Sequence, residues 1–174
     1  MNERDRFRIA TARPADVADL HALVRGLAEY ERLSDLCVST EADLQRALFT
    51  PPPACEALIA RLDGKSEEAA GFALFFHTYS TFLGRRGLWL EDLFVVPAHR
   101  GKGLGRQLLA TLARIATERG CARFEWSVLD WNAPAIRFYE SLGARMLSDW
   151  RIARVTGDDL ATLALAGSPA GSET

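Results

Sequence analysis

Apolar residues recur along this chain with two different periods, and the changes of period mark out its elements. Phe7-Arg8-Ile9-Ala10-Thr11 alternates as a strand does, and Pro14 with Asp16 then opens a helix whose apolar face is Val17, Leu20, Val24 and Leu27, ending near Arg32. A second helix is predicted over Glu41 to Phe49, stopped by Pro51-Pro52-Pro53. Glu56 to Leu62 and Gly71 to Tyr79 read as strands joined by the charged turn at residues 63–68. After Gly84-Arg85-Arg86-Gly87, the run Leu88 to Val96 is almost continuously apolar, which predicts a fourth strand buried on both faces at the centre of a sheet.

Leu104, Leu108, Leu112, Ile115 and Ala116 then return at helical spacing, and Arg119-Gly120 supplies a cation and a left-handed cap. Arg123 to Leu129 reads as a fifth strand. Asn132 caps the next helix, which contains Tyr139 and ends at Gly143. Arg145 to Leu147 and Arg151 to Val155 are predicted as two short closing strands, and Gly157 to Ala164 as a last helical turn or two. The tail at 167–174 has too little apolar surface to pack and is expected to be disordered. Residues 1–166 are therefore expected to form one domain. At 174 residues and 48% hydrophobic content, the chain suits a single core.

Between the fourth strand and the next helix stands Arg100-Gly101-Lys102-Gly103-Leu104-Gly105-Arg106. Alternate glycines let a ligand approach the backbone, and a helix beginning there points unpaired N–H groups outward. Three cations crowded at a helix N-terminus oppose its dipole unless an anion sits among them. A dinucleotide fingerprint needs its third glycine one residue later, and a Walker loop needs a longer gap followed by Lys-Ser or Lys-Thr. Neither fits, so the segment reads as a different phosphate cradle.

That segment resembles the pyrophosphate loop of the GNAT superfamily of acyl-CoA-dependent N-acyltransferases, Arg/Gln-x-x-Gly-x-Gly/Ala. Trp89-Leu90-Glu91-Asp92-Leu93-Phe94-Val95-Val96 resembles the Tyr-Leu-Glu-Asp-Phe-Phe-Val strand of its spermidine/spermine N-acetyltransferase branch. Asp130-Trp131-Asn132-Ala133-Pro134-Ala135-Ile136-Arg137-Phe138-Tyr139 resembles that branch's Glu-Trp-Asn-Glu-Pro-Ser-x-x-Phe-Tyr. The likeness runs from the first strand to about Ala164. It implies an α/β fold with a mixed, strongly twisted seven-stranded sheet that splays between strands four and five to admit the cosubstrate. It also implies a homodimer.

The resemblance implies N-acetyl transfer from acetyl-CoA, bound by Arg100, Gly101, Lys102, Gly103, Leu104, Gly105 and Arg106. The backbone of Leu93, Phe94, Val95 and Val96 would pair with the pantetheine arm, at a bulge that aims an N–H at the thioester carbonyl. Asn132 and Tyr139 complete the implied cosubstrate contacts. An alkylamine with a pKa near ~10.4 arrives protonated and attacks a thioester only after losing that proton. Glu91 is the implied acceptor, directly or through water, with Asp92 next along and facing the opposite side of the sheet. Tyr139 is the implied donor to the departing thiolate. Tyr30 and Glu31, within Leu27-Ala28-Glu29-Tyr30-Glu31, resemble residues that shape the branch's amine site, and Glu91 and Asp92 belong with them.

The amine itself stays open. Thr78-Tyr79-Ser80-Thr81-Phe82 departs from the branch's Thr-Tyr-Asp-Pro-Trp, losing an acid and a tryptophan, while Arg85-Arg86 nearby would repel a polycation. A smaller diamine, a lysine-like amino acid whose carboxylate meets Arg85 or Arg86, or another primary amine each remain. So do two other classes: a protein lysine or N-terminal acetyltransferase, and a non-catalytic acyl-CoA-binding module. His77 and His99 have no part in the scheme.

Net charge of -2 argues against nucleic acid as a partner. Cys37, Cys55 and Cys121 lack metal-ligand spacing, which predicts reduced thiols in a cytoplasmic protein and no metal site. No apolar run approaches the ~20 residues of a membrane span.

Overall fold

The computed structural model describes residues 6–64 and 68–166. The chain divides into two compact units, Met1–Ser127 and Val128–Thr174. The first holds strands β1 (Phe7–Thr11), β2 (Glu56–Leu62), β3 (Ala69–Ser80), β4 (Arg85–Val95) and β5 (Arg123–Trp126), with helices α1 (Val17–Glu31), α2 (Glu41–Phe49) and α3 (Leu104–Glu118). The second holds α4 (Ala133–Glu140) and α5 (Gly157–Ala166). The predicted tail at 167–174 lies outside the described residues.

The five strands form one mixed sheet in the order β1-β2-β3-β4-β5, antiparallel throughout except for the parallel β4–β5 pair. The expectation of seven strands is therefore corrected. Residues 145–155 contain no strand; Met146, Trp150 and Ile152 are exposed there, and a turn joins Trp150 N–H to the Leu147 carbonyl at 3.2 Å. Apolar alternation marks a strand only where a sheet edge receives it, and the described part of the second unit has no strand.

A second correction concerns which strand is central. β3, flanked along its length by β2 and β4, occupies the middle; Phe72 and Phe75 on it are wholly buried. β4 pairs with β5 only over Gly87–Leu90 against Arg123–Trp126 and runs on alone to Val95 on that side. β5 ends at Trp126, short of the predicted Leu129.

One face of the sheet carries the core formed by Leu20 and Leu23 of α1, Leu44 and Leu48 of α2, and Phe72 and Phe94. The other carries α3, whose Leu104, Leu108 and Leu112 are buried as the spacing predicts. Burying each such leucine contributes about 1.5–3 kcal/mol. The close fit on this side demands glycine at 71, where a Cβ would stand 2.6 Å from the Phe94 carbonyl oxygen and 3.5 Å from Leu104 Cδ2.

Polar contacts fix the helices on that frame. Arg61 of β2 reaches Asp16 at 2.8 Å and Asp19 at 2.5 Å, tying the start of α1 to the sheet. Burial raises the Asp16 pKa, but hydrogen bonds from Arg61 and the Arg13 N–H outweigh it and hold the carboxyl below its ordinary value. Thr40 and Asp43 form a capping box on α2. Arg119 and Glu56 pair at the end of α3, with Nη2 to Oε2 at 2.8 Å.

Candidate active site

The site begins at an irregularity in the β3–β4 ladder. Asp92 stands opposite Leu74, but Leu90 stands opposite Phe75, so Glu91 is an extra residue on β4. Such a bulge breaks the two-residue alternation. Trp89 (opposite Phe76) and Asp92 (opposite Leu74) consequently share the face of the sheet that carries α1 and α2. The Trp89 indole N–H donates to Glu91 Oε2 at 2.9 Å, drawing that carboxylate to the same side. The expectation that Asp92 faces away from Glu91 is thus corrected, because the bulge supplies the half-turn that brings neighbours together.

Electrostatics follow from the crowding. Burial pushes the Asp92 carboxyl up to about 6, and the like charges of Glu91 and Glu31 act in the same direction. Burial also raises Glu31, in the last turn of α1. The Cys55 thiol is raised by burial and then by Asp92, Glu56 and Glu91, so it stays protonated near neutral pH. Three carboxylates thus meet where a positive charge would be stabilised.

Beyond Leu90, β4 has an open edge. Val96 N–H donates to the Ala70 carbonyl on β3 at 3.0 Å. Main-chain groups alternate along a strand, so those of Leu93 and Val95 point to the side where β5 has ended. Of the four residues expected to offer backbone groups there, Leu93 and Val95 present them to the open edge, while Phe94 and Val96 face β3.

The loop that follows keeps its predicted form. Gly101 and Gly103 have φ of 73° and 88°, the left-handed region that favours glycine, and a Cβ at either would meet nothing within 4 Å. Gly103 is the N-cap of α3 and no side chain caps it, so the first amides of Leu104, Gly105 and Arg106 aim along the helix axis beside Lys102 and Arg106. An anionic group fits this open, cation-flanked turn. Arg100 is placed differently: its main-chain N–H donates to Pro97 O at 3.2 Å, and its Nε donates to Val95 O at 2.9 Å. Its guanidinium carbon lies 4.4 Å from the centre of the Tyr30 ring.

In the second unit, Asn132 Oδ1 accepts from Ala135 N–H at 3.3 Å, capping α4 as expected. Tyr139 is buried on that helix, its ring 5.5 Å from that of Phe138, and Gly143 closes the segment at φ 92°. Arg85 and Arg86 are exposed at the start of β4. Arg86 stands opposite Tyr79 on the α3 side, and Arg85 begins about 20 Å along the strand from Glu91 at ~3.3 Å per residue. Neither backs the carboxylates. Sequence reasoning missed Trp89, although two-residue spacing from Glu91 on a strand was the available signal, and it missed Cys55, for which there was none.

The sequence model of the Acetyltransferase (GNAT) family matches residues 23–144. The chain belongs to this family. It is an acetyl-CoA-dependent acyltransferase, with acetyl-CoA as the cosubstrate of the family. It is 34% identical to an L-ornithine N5-acetyltransferase of Arabidopsis thaliana, over 88% of this chain and 86% of that one. It is 35% identical to the thialysine N-epsilon-acetyltransferase of Mus musculus, over 90% and 96%. Among solved structures, an integron cassette protein of V. cholerae superposes with a TM-score of 0.76 at 28% identity, covering 91% of this chain and 97% of the other. Among the described residues there is no cluster of His, Cys, Asp or Glu suited to a metal, and no helix is long and apolar enough to cross a membrane.

Proposed function

We propose that this GNAT enzyme acetylates the terminal primary amine of a small molecule of amino-acid size, using the carboxylates at the β4 bulge to receive the ammonium group. The observation that carries this reading is the meeting of Glu91, Asp92 and Glu31, in which the like charges of Glu91 and Glu31 add to burial in raising Asp92. The two relatives above, named for ornithine and for thialysine, support the size and chemistry of the substrate. Departure from the polyamine branch at Ser80-Thr81-Phe82 favours the shorter amine.

Acetyl-CoA supplies an activated acyl group when bound. The first amides of α3, with Lys102 and Arg106, hold its diphosphate; Gly101, Gly103 and Gly105 keep that approach open, and Leu104 anchors the turn in the core. Main-chain groups of Leu93 and the N–H of Val95 on the open edge receive the pantetheine arm, the Val95 carbonyl being held by Arg100 Nε. Glu91 accepts the ammonium proton, directly or through water, held in place by the Trp89 indole. Asp92, Glu31 and Tyr30 bind the amine. Tyr139 donates a proton to the thiolate as it departs, and Asn132 sets the start of the helix that carries it.

The family match crosses the boundary between the two units, which supports reading 1–166 as one catalytic domain. We also infer a homodimer, for which exposed Phe82 and Trp150 offer apolar surface, and a cytoplasmic setting consistent with the three free cysteines. Sedimentation tests the first. The function is tested by following thiol release from acetyl-CoA with L-ornithine, L-lysine, putrescine, spermidine and a lysine peptide. The amino acids should be turned over best; a preference for the peptide would favour protein acetylation instead.

A further inference from the structure

The geometry points to Arg100 as a positioning residue for the amine site, acting through Tyr30, rather than as a diphosphate ligand. Two of its donors are already engaged within the protein, the main-chain N–H on Pro97 O and Nε on Val95 O. The second bond closes a carbonyl on the open edge of β4. It also fixes the guanidinium plane where its carbon sits 4.4 Å from the Tyr30 ring centre and 5.5 Å from that of Phe94. A guanidinium stacked on two rings is held electrostatically by their faces.

The consequence reaches α1. Gly26 lies against Phe94, where a Cβ would come within 3.0 Å of the ring, so the helix runs closely over β4 at that point. Tyr30 is one helical turn further on the same side of α1, followed by Glu31 in the final turn. Arg100 therefore braces the end of α1 against the end of β4, and it does so from the loop that holds the cosubstrate. The side chain that sequence assigns to acetyl-CoA instead sets the wall of the amine pocket.

This inference rests on the amine site proposed above, and a double-mutant cycle in the full chain separates the two. Arg100→Gln is made in three backgrounds: wild type, Tyr30→Phe, which keeps the ring, and Tyr30→Leu, which removes it. The amine KM, with the best amine of the panel, should rise about fivefold in the first two backgrounds and less than about twofold in the third. Acetyl-CoA affinity, measured by calorimetry, should change less than about twofold on Arg100→Gln in all three backgrounds, and a loss of about tenfold or more would return Arg100 to the diphosphate. An equal rise in amine KM in every background overturns the inference while leaving the amine site intact. Wild-type protein that turns over no amine overturns both. Tyr30→Met supplies the same cycle where thermal melting shows that Tyr30→Leu has not folded.

Discussion

The indole N–H of Trp89 donates to the Glu91 carboxylate at 2.9 Å across the bulge of β4, and this bond holds the acid on the side of the sheet to which the bulge also brings Asp92. Trp89→Phe keeps the ring and removes the donor. Turnover should fall by roughly fivefold, about the worth of one ordinary hydrogen bond, while the melting temperature changes little. An unchanged kcat would show that Glu91 does not depend on the indole.

Glu91→Gln removes the proposed proton acceptor without changing shape. General-base catalysis contributes roughly 10²–10⁴-fold, so kcat/KM for the amine should drop by at least about 10². Retention of more than half the wild-type rate would take Glu91 out of the proton path.

Tyr139→Phe deletes the phenolic proton and keeps a buried ring beside Phe138. A loss of about 10²-fold or more in turnover is expected, with acetyl-CoA affinity preserved. Single-turnover thiol release measures it. Normal release would confine Tyr139 to packing.

Asp92 makes stability depend on pH in a defined direction. Its pKa in the folded chain, about 6, lies above the ordinary carboxylate value of 3.8, so the folded state binds the extra proton between those values. Stability conferred by this group is present in acid and is lost as pH rises through about 6. Asp92→Asn should therefore stabilise the protein at pH 7.5 by on the order of 3 kcal/mol and have little effect at pH 4. Denaturant titrations at the two pH values measure the difference. Equal effects at both would remove the buried-charge cost. The proposed binding of the ammonium group by ionised Asp92 predicts an acidic limb of kcat/KM near pH 6 that the Asn variant lacks.

Most of the frame was legible because it is written in local periodicity. The bounds of β1, α2 and β2 match their predicted ranges, and the leucines of α3 pack as their spacing indicates. The glycine turn and its cap were equally local, since positive φ at Gly101 and Gly103 is a property of the residue type. What escaped depends on partners. The resemblance implies a bulge beside Leu93–Val96, but its place at Glu91 is fixed only by pairing with β3, so no inspection of residues 88–96 could show that Glu91 and Asp92 share a side. The central place of β3 is likewise a fact of pairing order, and residues 145–155 have strand-like alternation with no edge among the described residues of their unit to receive it. Arg100 was read from its motif position, whereas its side chain is decided by Tyr30, 70 residues earlier in the sequence.

The most direct measurement is thiol release from acetyl-CoA by the purified chain in the presence and absence of L-ornithine. One thiol should appear for each N-acetylated product, with kcat/KM for ornithine above that for spermidine and for a lysine peptide. Tight binding of acetyl-CoA with no amine-dependent thiol from any member of the panel would contradict acetyl transfer to a small amine at the β4 bulge.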